Sequence, residues 1–152
     1  MAIVAYTGSD TRGLVGGHVN SEEWNALTRL ADNVAVATIG PGQPVIRLAG
    51  NDVVARGGWA SGAILGLTRS AIDLDTTTGA VEGQHLAIMT MGVMWVAAGG
   101  TCTAGTQAGY NPATDRWGNI AGSYVAVPGC EFDSAGATGG LVKIRINRPT
   151  AV

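Results

Sequence analysis

The residues that could do chemistry are few and widely spread. His18 and His85 are the only histidines, and neither has a Cys, a second His or a carboxylate at metal-ligand spacing. A tetrahedral zinc site is therefore not expected. Asp73 and Asp75 open the stretch DLDTTTG, which begins like a calcium loop. The glycine arrives one place late, at Gly79, and the closing Glu is missing, so the stretch reads as a solvated turn. Asp115, Glu131 and Asp133 could supply the two carboxyl groups of a glycoside hydrolase, but no spacing brings two of them across one bond. GGWASG places Ser61 wrongly for a nucleophile elbow. No P-loop occurs, and Gly40-Pro41-Gly42 lacks the third glycine and the helix of a dinucleotide fingerprint. The residues predict no metal, no cofactor and no enzyme.

The aromatic and sulfur residues say more about contacts. Trp24, Trp59, Trp95 and Trp117 accompany a single Phe. They could stack on sugars, or anchor a protein interface through their large area. Trp95 sits in an apolar run and reads as core or as a strand residue facing a partner. Trp117 follows the turn signal NPATDRWG and is expected at an exposed loop tip. Cys102 and Cys130 show no spacing signature, so their pairing stays open. In a reducing cytoplasm they are buried or inert thiols.

Short apolar runs must position all of these. They are Val34–Ile39, Pro44–Leu48, Asp52–Arg56, Gly62–Leu67, His85–Met91, Val93–Ala97, Ser123–Val127 and Leu141–Asn147. The last is the clearest, with Val142, Ile144 and Ile146 alternating with Lys143, Arg145 and Asn147. Scattered glycine, 24 residues in all, punctuates the runs. The pattern predicts an all-β chain: a compact barrel, sandwich or jelly roll of about eight short strands. At most one short helix is expected, near 21–31, where Asn20 or Ser21 could cap and Trp24, Leu27, Leu30 and Ala31 share a face. Residues 1–20, glycine-rich and poor in large side chains, read as an arm or surface loop ahead of one β-rich domain over 21–152.

Composition narrows the partners. Charged residues are 13% of the chain, against about 25% in typical domains. Lys143 is the only lysine and the other basic residues are all arginine, a preference shared by protein interfaces. Net charge is −2, and no basic run exists to displace counterions from nucleic acid. No apolar run is long enough to span a bilayer, and the N-terminus lacks the charged start and apolar core of a signal peptide. Neither nucleic acid nor membrane is expected as a partner.

Over half of the chain, Gly62 to Pro149, resembles the capsid cement, or decoration, proteins of tailed phages. In "GAILGLTRSAIDLDTTTGAVEGQHLAIMTMGVMWV", a strand entering GL precedes a loop, then a strand carrying Gly92, Trp95 and Val96. "GYNPATDRWGN" resembles that family's YNPATG turn, with Asp115-Arg116 in place of its usual glycine. "VAVPGCEFDSAGATGGLVKIRINRP" resembles its VPGA-x-F segment and closing strand. The resemblance implies a β-rich structural protein on the outer surface of a phage capsid. It would be made in the bacterial host cytoplasm and would act as a small homo-oligomer, dimer or trimer. Its partner would be the major capsid protein, whose subunits it would stabilise against one another, with no catalysis and no cofactor. On this reading Tyr6, Arg12, His18, Trp59 and Trp117 are the candidate partner contacts. A carbohydrate-binding β-sandwich on a phage surface, using Trp59 or Trp117, is the alternative. A small hydrolase using Asp115 or Glu131 is a third reading.

Overall fold

The computed structural model describes residues 15–19, 24–32, 38–48, 53–56, 64–70 and 79–147. Their strands are β1 (Asn25–Ala31), β2 (Pro44–Arg47), β3 (Val53–Arg56), β4 (Ile64–Thr68), β5 (His85–Ala97), β6 (Gln107–Asn111), β7 (Arg116–Asn119), β8 (Val125–Phe132) and β9 (Leu141–Asn147). The all-β expectation holds. Strand order is β1-β3-β2-β4-β5-β9-β8-β6-β7, and a further pairing joins β1 to β5. That pairing closes the first five strands of the order into a barrel, in which β1–β3 is the parallel pair. The other four strands form a second lobe. A parallel bridge between Ala98 and Trp117 brings β7 back to the chain leaving β5.

Strand β5 is shared by both bodies. Its first half pairs with β1 and β4, and its second half, from Met91 to Ala97, pairs with β9. The runs His85–Met91 and Val93–Ala97, expected as two strands, are one strand of 13 residues. Gly92 makes this possible. Leu86 and Ile88 face the barrel cluster with Ala31, Val45 and Val54. Met89 belongs to the larger cluster, and so do Met94, Val96 and Ala98. A regular strand would send odd and even residues to opposite faces. The side chains change phase around Gly92, whose φ of +130° is strained for other L residues.

The segment expected as a helix is instead strand β1. Leu27 and Leu30 do share a helical spacing, but β1 exchanges backbone bonds with β5 over Asn25–Leu30 and with β3 at Leu30 and Ala31. Two flanking ladders satisfy more backbone groups than an isolated helix of three turns, which is marginal in water. The run Val34–Ile39 lies mostly outside the described residues; Ile39 itself is buried and bridges Ala80. β6 and β7 were hidden in QAGYN and RWGN, which carry too little hydrophobic alternation to read as strands. They flank the NPAT turn, where the Asn111 side-chain oxygen accepts from the Ala113 N–H (3.0 Å).

Candidate interaction surfaces

The turn between β6 and β7 locks the lobe to the barrel. Asp115 has φ +56°, a left-handed conformation that non-glycine residues rarely adopt. The Arg56 guanidinium from β3 lies 2.6 Å from its Oδ1, and Arg56 Nη1 donates to its Oδ2 (3.2 Å). The Tyr110 hydroxyl donates to Oδ1 (3.0 Å). Burial, and then the Asp115 charge, hold the Tyr110 phenol far above its ordinary pKa. Arg56 also donates to the Pro112 carbonyl (2.9 Å).

Trp117 corrects the expectation of an exposed loop tip. It is 1% exposed. Its indole Nε1–H donates to the Gly42 carbonyl (2.9 Å), and its ring packs edge-on to Tyr110 at 5.0 Å. The turn ends before Trp117, and on β7 the side chain points inward, where a large ring fills the seam between barrel and lobe. In this fold it is not available to a partner.

A second cluster is open to solvent. Residues Val15–Val19 run along the second half of β5: the Gly16 N–H donates to Trp95 O (2.8 Å), the Trp95 N–H to Gly17 O (3.0 Å) and the Val19 N–H to Val93 O (3.1 Å). This places His18, half-buried, with its ring 5.4 Å from that of Trp24. The Arg69 guanidinium lies 4.4 Å from the Trp24 ring centroid. Trp24 remains 45% exposed. Trp and Arg are enriched among the residues that anchor protein interfaces, and the arginine over the ring makes a favourable cation–π contact. His18 belongs to this cluster as a candidate; Tyr6, Arg12 and Trp59 lie outside the described residues. Sequence reading missed Arg69, whose only signal was the bias towards arginine.

The other candidate chemistries do not assemble. Glu131 sits opposite Gln107 at one end of β6, while Asp115 lies beyond the other end, near Asn111. That separation is roughly 13 Å along the strand. Asp133 is paired with Arg145, Oδ1 to Nη2 at 3.0 Å. Cys102 and Cys130 are both buried. Burial pushes the Cys102 thiol up to about 11, the reverse of what a nucleophile needs. His85 is exposed at the start of β5. Asp73, Asp75 and Ser61 lie outside the described residues, among which no group of three or more His, Cys, Asp and Glu could hold a metal. The described Trp rings are all engaged: Trp24 by Arg69, Trp95 by Lys143 at 5.2 Å, and Trp117 by the core. Of the two rings that the glycan alternative would use, Trp117 is buried and Trp59 lies outside the described residues.

A closed barrel and a lobe thus meet at a seam held by Trp117 and Asp115, with the Trp24–Arg69 pair exposed at the surface. The chain belongs to the family "Structural cement protein (E217 gp24/Pam3 gp6)", whose model matches residues 4–147. Its role is that of a phage structural protein that stabilises the capsid. Among solved structures, a chain of "The capsid of Myoviridae Phage XM1" superposes with a TM-score of 0.65 at 14% identity, covering 97% of this chain and 98% of that one. The base of the head fibre gp8.5 of bacteriophage phi29 gives a TM-score of 0.43 at 14% identity, covering 83% of this chain and 96% of that one. No curated protein sequence matches this chain.

Proposed function

We propose that the chain binds the outer surface of a phage capsid, across neighbouring major capsid protein subunits, as a small homo-oligomer with no catalytic role. The observation that carries this reading is the Trp24–Arg69 pair, held at the surface by His18 and the residues along β5. A clamp needs a body that does not deform under load, and the Arg56–Asp115 and Trp117–Gly42 contacts tie barrel to lobe. Several weak contacts repeated within an oligomer add through avidity. Synthesis in the reducing host cytoplasm accords with the buried Cys102 thiol.

The test is rebinding to particles stripped of the protein. Trp24→Ala and Arg69→Ala should each weaken binding by roughly 30-fold, as interface anchors do, with the circular dichroism spectrum unchanged. Wild-type affinity in both variants would show that another face meets the shell.

A further inference from the structure

Two exposed patches sit at opposite ends of β5, and each holds what the other lacks. The first is on the outer face of the lobe. Side chains alternate along β7, so Arg116, Gly118 and, one residue past the strand, Ile120 share the face opposite the buried Trp117. Gly118 leaves a gap in this row, and the Tyr124 ring fills it: a Cβ at Gly118 would come 2.8 Å from the ring. Gly99, just past the end of β5, admits both the Tyr124 hydroxyl and the Arg116 stem, which would lie 2.9 and 3.0 Å from a Cβ there. Arg116, Tyr124 and Ile120 therefore stand side by side, seated on glycine backbone. Ile120 is 48% exposed and Arg116 is exposed. Asp115 is taken by Arg56, and no carboxylate among the described residues pairs with Arg116.

The second patch is the turn that enters β5. Val81 is 47% exposed, and Glu82 and Gln84 beside it are exposed. The turn is held in place: the Gly83 N–H donates to Ala31 O (2.8 Å), the Ala31 N–H to Gln84 O (2.8 Å) and the Val81 N–H to Gln84 Oε1 (3.0 Å). Glu82 has no cationic partner among the described residues. Both patches are thus ordered before anything binds, which lowers the entropic cost of covering them.

We infer that the two patches bind each other between copies of this chain. Val81 of one copy packs on Ile120 and the Tyr124 ring of another, and Glu82 accepts hydrogen bonds from Arg116 and the Tyr124 hydroxyl. The inference rests on the small homo-oligomer of the proposed function and names its contact. The occupant is a second copy because the patches are complementary in kind: one joins an apolar side chain to a carboxylate, the other joins apolar surface to a guanidinium. They cannot meet within one copy, because β5 has 13 residues and holds them roughly 40 Å apart. A contact between unlike patches closes either by being made twice about a two-fold axis or by running around a ring. Trp24, beside Gly92 in the middle of β5, stays open to the shell in both cases.

Sedimentation of the isolated chain over a concentration series tests this without any shell. Wild type should show a whole multiple of the mass of one chain. Glu82→Arg and Arg116→Glu should each weaken assembly about 100-fold, because each sets like charges against one another. The double variant carries the same pair reversed and should assemble within about tenfold of wild type. A folding defect in either single variant would persist in the double, so its recovery can come only from the contact. Single variants that assemble like wild type, a double variant no better than the singles, or a wild type that stays a single chain would each overturn the inference. The proposed function is tested apart from it, by wild-type binding to stripped particles; binding there with assembly unchanged in the charge-reversed variants would sink the inference alone.

Discussion

Asp115 occupies a left-handed backbone conformation, and neighbouring side chains hold it there. Left-handed backbone costs an ordinary L residue about 1–2 kcal/mol. Asp tolerates it better than most, and here its carboxylate also neutralises Arg56. Asp115→Ala loses both advantages and should destabilise the fold by about 2–3 kcal/mol. Asp115→Gly loses the ion pair but relieves the backbone, so it should cost only about 1 kcal/mol. Thermal melts of the two variants check the order; an equal loss would mean that backbone strain plays no part. The turn was legible in the sequence, but the pairing that holds Asp115 was not, because Arg56 lies far away in the chain. Cys102 and Tyr110 predict an alkaline limit. Both titrate above their ordinary values because burial disfavours the charged form. The unfolded chain ionises first, so the folded state binds more protons and stability falls as pH rises. For Cys102 the loss runs from about pH 9, the ordinary thiol value, through about pH 11. Melting temperature measured from pH 7 to pH 11 should decline over that window, and Cys102→Val should flatten part of the decline. A flat wild-type profile would contradict the burial argument.

β5 is the element on which both bodies depend, and Gly92 is its hinge point. A Cβ there would approach the Trp24 Cβ to 2.9 Å and the Met89 sulfur to 3.2 Å. Gly92→Ala should therefore cost about 1–3 kcal/mol in denaturant titration, the range for a strained backbone position. An unchanged midpoint would show that β5 turns its faces without needing glycine. The strands rich in alternating β-branched residues could be read from the sequence, β9 above all. β1 could not, because Leu27 and Leu30 fit a helical period and only the ladders to β5 and β3 decide the matter. β6 and β7 escaped because Gly109, Asn111, Gly118 and Asn119 interrupt their patterns, and their pairing with distant strands supplies what local propensity lacks. Trp117 was misplaced for a related reason: its neighbours in sequence are turn residues, but its contacts, Gly42 and Tyr110, come from other strands.

At the scale of the whole molecule, a barrel and a lobe share one strand and are pinned by Trp117 and Asp115. Low charge and an almost exclusive use of arginine suit a surface meant to be covered. The class of protein was legible from short segments in the second half of the chain, because those segments are the β5–β9 framework itself. The contact residues were less so, since exposure is a property of the folded surface. The Trp24–Arg69 pair joins residues that no sequence spacing relates. The central claim is that this chain is a stoichiometric component of the shell. Quantitative mass spectrometry of purified particles tests it most directly, by counting copies of this chain against copies of the major capsid protein. One copy per shell subunit, or a simple fraction of that, is the expected result. A few copies per particle, or none, would contradict it.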